Sequence, residues 1–103
     1  MNQGYFGKKR LVERFVCLLT GKYFDENNSP CKLDCEDISL KGARVLTPLP
    51  LMINSHLSFD VTTKKADLLA LAGTVCWSKK STRGYRSGVA FDQDLQLDIG
   101  RII

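Results

Sequence analysis

Apolar and polar residues alternate along several stretches of the chain, which is the pattern of half-buried β-strands. Turn signals separate these stretches, among them Gly21, the loop from Asp25 to Pro30 and the polar stretch from Ser78 to Gly84. The pattern predicts six short strands, at Phe15 to Leu19, Cys31 to Cys35, Ala43 to Leu46, Leu57 to Val61, Leu71 to Trp77 and Tyr85 to Phe91. Six short strands with little helix favour an all-β fold, a closed or nearly closed six-stranded antiparallel β-barrel, because closure removes exposed strand edges.

The alternation slips by one residue within the second strand. Cys31, Leu33 and Cys35 share one parity, whereas Ile38 and Leu40, the next apolar pair, have the other. A shift of one residue would turn an apolar face outward. We therefore expect a kink or bulge between Cys35 and Ile38 that keeps both sets in the core.

Both ends of the chain depart from the strand pattern. The first fourteen residues are polar, glycine-containing and basic, and we expect a flexible segment there. The barrel domain is expected to cover residues 15–103. Leu95, Ile99 and Ile102 recur at spacings of four and three, which predicts a short C-terminal helix from Asp94.

Length and composition favour one ordinary globular domain. At 103 residues the chain has room for one core, and its 44% apolar and 25% charged residues are typical of a folded protein. The apolar run from Leu68 to Ala72 is too short to span a bilayer, and Met1 to Lys9 is polar where a signal peptide is apolar. We expect a cytoplasmic protein without a membrane span.

The net charge of +4 favours an anionic partner, but it is too small to indicate nucleic acid by itself. The cations lie in two clusters, Lys8, Lys9, Arg10 and Arg14 near the start, and Lys79, Lys80, Arg83 and Arg86 in the second half. If the fold brings the two clusters together, they form an anion site.

Catalytic and metal-binding chemistry have little support in the sequence. The one histidine, His56, occupies a polar position of an alternating strand, where a solvated side chain is expected. No phosphate loop, nucleophile elbow or paired metal-binding histidines are present, so we predict that the protein is not an enzyme. The four cysteines are Cys17, Cys31, Cys35 and Cys76; their spacing does not fit a zinc knuckle, and we favour buried structural thiols over a metal site.

An arginine pair is the first group of residues that could bind a ligand. Arg10 and Arg14 are four residues apart, so on a helix or turn they share one face and could clamp an anion between them. A guanidinium also forms two parallel hydrogen bonds to the O6 and N7 edge of guanine. The alternative is that the two arginines belong to a solvated basic tail. Arg10 and Arg14 taken by themselves favour this alternative.

Asp37, Ser39 and Gly42 form the second group, at the phase slip. Asp37 and Ser39 are two residues apart, so on an extended chain both are expected to point out of the barrel. A carboxylate there can accept hydrogen bonds from the N1 and N2 donors of guanine. The alternative is a strand end and turn in which both side chains cap local backbone groups.

Together the two groups resemble the signature of the PilZ family, an arginine pair written RxxxR followed some twenty to thirty residues later by [D/N]xSxxG. Arg10 and Arg14 match the first motif, and Asp37, Ser39 and Gly42 match the second. The resemblance implies a six-stranded split barrel and a receptor for the bacterial second messenger cyclic di-GMP. It also implies a ligand site formed by Lys9, Arg10, Arg14, Asp37, Ser39 and Gly42, without a metal or a cofactor.

The N-terminal segment suggests how such a receptor acts, because Met1 to Lys9 has no apolar pattern to hold it in place and leads directly to the arginine pair. We hypothesise that the N-terminal segment closes on the barrel when its arginines bind cyclic di-GMP, and so relays the signal to a downstream effector protein. Two alternatives stay open, a PilZ-like adaptor that acts by protein contacts without nucleotide, and a small basic barrel that binds single-stranded nucleic acid. The sequence also leaves open whether the protein forms a homodimer.

Overall fold

Six β-strands and one short 3-10 helix form the part of the chain that the structure describes. The structure is a computed structural model, and it describes residues 14–96 and 99–103. The elements in chain order are β1 Phe15–Phe24, β2 Pro30–Ile38, β3 Gly42–Thr47, β4 His56–Thr62, β5 Leu68–Ser81, β6 Gly84–Phe91 and the 3-10 helix Ile99–Arg101. The predicted all-β class and its six strands are confirmed.

The strands close into a barrel in the order β1, β2, β3, β6, β5, β4, and every neighbouring pair is antiparallel. Closure is made by three residue pairs, in which Gly21 to Tyr23 of β1 face Phe59 to Val61 of β4. The sequence analysis interpreted Gly21 as a turn signal after the first strand. In the structure β1 continues through Gly21 to Phe24. At this position a Cβ would lie 2.1 Å from the carbonyl oxygen of Asp60, so glycine here permits close approach of two backbones and does not form a turn.

A bulge lies in β2 where the alternation slips. Cys35 faces Val45 of β3, whereas Asp37 faces the next β3 residue, Arg44, so Glu36 is the extra residue on β2. Cys35 and Ile38 are both fully buried, which confirms the predicted bulge. The expectation for Leu40 is wrong: it lies in the turn after β2 and is 42% exposed, because the inward alternation ends with the strand at Ile38.

The core fills the barrel interior with the inward-facing side chains of all six strands. It consists of Leu19, Tyr23, Leu33, Cys35, Ile38, Ala43, Val45, Leu57, Phe59, Val61, Val75, Val89, Ile99 and Ile102, with further apolar side chains packed against it. Among the described residues, no helical segment has the length and apolar character needed to cross a bilayer.

The C-terminal segment closes one end of the barrel without the predicted helix. In the described residues after Asp94 the helical part is only the 3-10 turn Ile99–Arg101. The Leu95 N–H donates to the Leu40 carbonyl and the Lys64 N–H to the Ile102 carbonyl, so this segment bonds to the strand connections. The apolar spacing that predicted a helix reflects insertion into the barrel end, where Ile99 and Ile102 are buried.

An ion-pair ladder ties β2 to β6 across β3 on the outside of the barrel. Arg86 of β6 donates from Nε to Glu36 Oε1 at 2.7 Å and from Nη2 to Oε2 at 3.2 Å. Arg44 of β3 lies between them, with its Nε 3.5 Å from Glu36 Oε1. The hydrogen bonds from Arg86 hold the pKa of Glu36 below its ordinary value, against a smaller opposing effect of burial.

We expect Ile102→Ala to lower the free energy of unfolding by about 2–5 kcal/mol, because Ile102 is fully buried and its truncation leaves a cavity. Urea denaturation measures this value. Ile53→Ala is the matched control, since Ile53 is 50% exposed and its truncation is expected to cost much less. Equal effects of the two substitutions would show that the C-terminal segment is not part of the core.

The lowered pKa of Glu36 predicts a stability that depends on pH. A carboxylate with a lowered pKa in the folded state stabilises the protein above the ordinary carboxyl pKa, and this contribution is lost as pH falls through the folded pKa. Glu36→Gln should therefore lower the free energy of unfolding at pH 7, as measured by urea denaturation. The difference in this free energy between the variant and wild type should become smaller as the pH falls. Glu26→Gln, at an exposed loop position, is the control for which no such difference is expected.

Candidate ligand-binding site

Arg14 and Asp37 lie side by side on the outer surface of the barrel. The antiparallel register of β1 and β2 places Val16 opposite Asp37, so the residue just before β1 reaches the end of β2. Arg14 Nη1 donates to Asp37 Oδ1 at 2.9 Å, and the Arg14 side chain is 50% exposed. Two residues from different sequence motifs are thus in contact. Arg10, the other arginine of the first motif, and Lys9, the predicted ligand residue just before it, lie outside the described residues.

Asp37 is shared between two guanidiniums. Arg44 Nη1 lies 3.7 Å from Asp37 Oδ2, opposite the Arg14 contact, and the Asp37 side chain is only 10% exposed. With Glu36 and Arg86 included, three guanidiniums face two carboxylates, so this surface carries an excess positive charge. The arrangement suits an anionic ligand that also offers hydrogen-bond donors.

Arg44 is a residue that the sequence analysis missed. Its Nε is buried and forms no hydrogen bond with a described residue, although Glu36 Oε1 is within ion-pair distance. The available signal was its position, two residues after Gly42 on an alternating strand, which places it on the outer face. Nothing in the sequence showed that the β2 bulge would set both Glu36 and Asp37 beside it.

Ser39 shapes the turn between β2 and β3. Its hydroxyl oxygen accepts the N–H groups of Lys41 and Gly42, each at 3.2 Å, and its own N–H donates to the Gly42 carbonyl at 2.8 Å. Ser39 is only 4% exposed, because its side chain lies against the backbone of its own turn, and it lines the surface cavity that also contains Arg14. These contacts match the alternative interpretation, in which the strand ends in a turn and the serine side chain caps local backbone groups.

A shallow cavity of about 160 Å³ brings the two motifs together with the β5–β6 pair. Its lining includes Arg14, Ser39, Gly42, Trp77 and Gly88. The Trp77 indole lies directly on the backbone of Gly88, where a Cβ would be 2.1 Å from Nε1. Because Trp77 remains 38% exposed, it offers an aromatic surface beside the arginine.

A larger cavity, of about 350 Å³, lies between β5 and the segment that follows β6. Asp92 and Asp94 line it, and they disfavour an anionic ligand there. Asp92 Oδ2 is 2.7 Å from His56 Nε2, and Lys41 Nζ donates to Asp94 at 3.0 Å. His56 is 56% exposed, as its polar strand position predicted.

The four cysteines are free and differ in burial. Cys35 is buried, Cys17 and Cys31 are half-buried, and Cys76 is exposed, so the prediction of buried thiols is wrong for Cys76. The Cys17 and Cys35 sulfurs are 4.0 Å apart; their hydrogen bond lowers the pKa of Cys17 and raises that of Cys35. In residues 14–96 and 99–103 no three metal-ligating side chains cluster.

Solved structures of two bacterial proteins are similar in fold to this chain. YcgR of Escherichia coli in complex with c-di-GMP has 15% identity and a TM-score of 0.69, and the match covers 87% of this chain and 39% of the YcgR chain. The inhibitor of motility MotI/DgrA of Bacillus subtilis has 12% identity and a TM-score of 0.70, with coverages of 84% and 44%. This chain thus spans less than half the length of either. The PilZ domain of Escherichia coli YcgR with c-di-GMP has 12% identity and a TM-score of 0.64, with coverages of 87% and 80%.

At these identities the likeness to the solved structures shows a shared fold. No curated protein matches the chain. The family assignment comes from a different comparison, in which the model of the PilZ domain matches residues 8–103. This match covers both arginines of the first motif and the whole described barrel, and it confirms the resemblance seen in the residues: the chain belongs to the PilZ domain family.

Proposed function

We propose that this chain is a receptor domain for cyclic di-GMP and acts by binding, without catalysis. The observation that carries the proposal is the contact of Arg14 with Asp37 beside the exposed Trp77 indole, in a barrel of the PilZ family. Two of the similar solved structures contain c-di-GMP, which supports this choice of ligand. The site we propose consists of Lys9, Arg10, Arg14, Asp37, Ser39 and Gly42.

Each part of the ligand has a chemically suitable partner at this surface. The phosphates carry negative charge, which Arg14 and its neighbour Arg44 can balance. Guanine presents N1 and N2 donors, which the Asp37 carboxylate can accept. A purine face can stack on an indole or on a guanidinium plane, and Trp77 and Arg14 supply both groups.

Ser39 and Gly42 contribute to the proposed site through the backbone. The hydroxyl of Ser39 fixes the turn by accepting two N–H groups, so the turn holds one shape before the ligand arrives. A site that is formed before binding loses less conformational entropy when the ligand binds. In this proposal the serine and glycine of the second motif set the position of Asp37 relative to the cavity.

The Arg14–Asp37 contact also suggests how binding is relayed. A ligand that uses the Asp37 carboxylate and the Arg14 guanidinium competes with the bond between them, so Arg14 moves toward the ligand. The segment that precedes Arg14 carries Lys9 and Arg10 and follows it onto the barrel surface. We propose that this closure forms the surface that a downstream effector protein recognises.

Arg14→Ala should weaken binding of cyclic di-GMP by tenfold to a hundredfold, since a hydrogen bond to a charged group contributes about 1.5–3 kcal/mol. Isothermal titration calorimetry measures this affinity, and Arg10→Ala should behave similarly. Arg101→Ala is the matched control, because it removes the same charge from an exposed position on the C-terminal 3-10 turn.

Selectivity is tested by titrating GTP and cyclic di-AMP into the same protein. Wild type should prefer cyclic di-GMP, and Asp37→Asn should reduce that preference because the amide no longer presents two acceptor oxygens to guanine. A folded wild-type protein that does not bind cyclic di-GMP would refute the proposal. Equal losses in Arg14→Ala and Arg101→Ala would refute the assignment of the site.

Amide hydrogen exchange tests the proposed relay. Cyclic di-GMP should increase the protection of residues 5–14, because the segment closes over the ligand. The turn of residues 63–67 between β4 and β5 serves as the internal control, with exchange expected to stay unchanged. Equal protection of residues 5–14 with and without bound ligand would exclude the switch and leave binding itself untouched.

A further inference from the structure

The loop between β3 and β4 carries a cluster of exposed apolar side chains. Leu49 is 62% exposed, Met52 72% and Ile53 50%, and residues 48–55 contain no charged side chain. Leu51, in the middle of the same loop, packs against the core. Single exposed apolar residues are normal on a protein surface, but a contiguous cluster indicates an interaction site.

The loop is held in place at both of its ends. Where it begins, Thr47 pairs with Tyr85 of β6, and the Thr47 hydroxyl donates to the Leu49 carbonyl at 2.7 Å. Where it ends, the Asn54 N–H donates to the Val75 carbonyl of β5 at 2.7 Å, and the Val75 N–H donates to Ser55 at 2.9 Å. The apolar cluster is therefore fixed beside the β5–β6 hairpin.

The adjacent hairpin presents exposed cations and no acidic residue. Lys79, Lys80 and Arg83 are exposed near its tip and make no ion pair with a described residue, and residues 68–91 contain no Asp or Glu. Lys80 lies opposite Tyr85, and Ser78 lies opposite Ser87, which is buried. Lys80 is two residues after Ser78 on β5, so both are on the same face of the strand. Alternation along the strands thus places Lys80 on the face that the loop covers. Lys79 pairs with Arg86 and points to the outer face, so the two lysines flank the hairpin near its tip.

The acidic residues nearest to the tip of the hairpin are on β2 and in the β1–β2 loop. On β2, Glu36 is paired with Arg86 and Arg44, and Asp34 lies opposite Leu46 of β3. Asp25 and Glu26 are in the β1–β2 loop, and β1 is three strands from β6 in either direction around the barrel. Asp25 also accepts the N–H groups of Asn27 and Ser29, each at 2.9 Å, within its own loop. The apolar loop and the tip of the basic hairpin adjoin at this end of the barrel, since Thr47 at the start of the loop pairs with Tyr85. We call them together the loop–hairpin surface.

We propose that the loop–hairpin surface, formed by Leu49, Met52 and Ile53 with Lys79, Lys80 and Arg83, docks on the surface of an anionic lipid bilayer. The apolar side chains enter the boundary between headgroups and acyl chains, while the cations contact lipid phosphates. The observation that favours a bilayer is charge complementarity. The uncharged apolar loop adjoins a hairpin with three exposed cations and no acidic residue. Glu36 of β2, the carboxylate whose charge also acts on Arg83, is already paired with Arg86 and Arg44.

This surface is separate from the proposed nucleotide site. The two lie at opposite ends of β3, with Gly42 in the turn that Ser39 shapes and Thr47 at the start of the apolar loop. A receptor that docks through this surface can bind its nucleotide while it is on the membrane. Docking through this surface does not depend on which nucleotide the other site binds.

Co-sedimentation of the full chain with lipid vesicles tests the proposal. Wild type should bind vesicles of phosphatidylcholine mixed with phosphatidylglycerol, and not vesicles of phosphatidylcholine alone. Lys79→Ala combined with Lys80→Ala should weaken binding about 25-fold, because each cation near an anionic surface contributes about fivefold. Met52→Glu combined with Ile53→Glu should abolish it, because carboxylates enter where apolar groups are needed.

Two matched variants keep the test specific to this surface. Lys64→Ala with Lys65→Ala makes the same change of net charge in the β4–β5 turn at the other end of the barrel. Leu18→Glu with Leu68→Glu places two carboxylates at other exposed apolar positions, which are 73% and 71% exposed. Both variants should bind the mixed vesicles as wild type does, with circular dichroism to verify that each is folded.

Three results would overturn the proposal. The first is failure of the folded wild type to bind the mixed vesicles at low salt. The second is equal loss of binding in the Lys64 and Lys65 variant, which would show that attraction depends on net charge alone. The third is unchanged binding of the Met52 and Ile53 variant, which would assign the loop to another partner, such as a protein.

Discussion

The bulge at Glu36 is the constraint on which the outer surface of this barrel depends. In a regular strand, residues 36 and 37 would point to opposite faces, and one of the two carboxylates would enter an apolar core. The extra residue lets Cys35 and Ile38 both stay buried, while Glu36 and Asp37 both meet guanidiniums. The arginine array and the candidate site exist because β2 carries two consecutive acids on one side.

Much of this arrangement follows from the sequence because burial imposes a period of two on each strand. The parity of Cys35 and Ile38 predicted the bulge, since each residue had to reach the core. The prediction of a buried Leu40 went wrong because alternation gives no information about where a strand ends. Gly21 was misjudged for a related reason: a glycine that forms a turn and a glycine that permits close approach of two strands look the same in sequence.

The site was predictable as a set of residues, but its contacts were not. Asp37 and Arg14 were identified by motif, yet their contact depends on the register between β1 and β2, which local sequence does not define. Arg44 was missed because its position between Glu36 and Asp37 exists only after β3 pairs with the bulged strand. The C-terminal helix was wrongly predicted for a similar reason. The spacing of Ile99 and Ile102 reflects their burial in the barrel interior, and not one apolar face of a helix.

The energetics of the Arg14–Asp37 contact are compatible with the proposed relay, in which Arg14 exchanges Asp37 for the ligand. Arg14 is half exposed, and ion pairs at such positions contribute at most about 1 kcal/mol, since water and salt screen them. Asp37 is nearly buried and also has Arg44 beside it, so in the proposed relay its carboxylate would keep a cation after Arg14 moved to the ligand. In the proposed relay a ligand would therefore need to offset only a small free energy to release Arg14, and Arg44 would prevent the release from leaving a buried carboxylate without a cation.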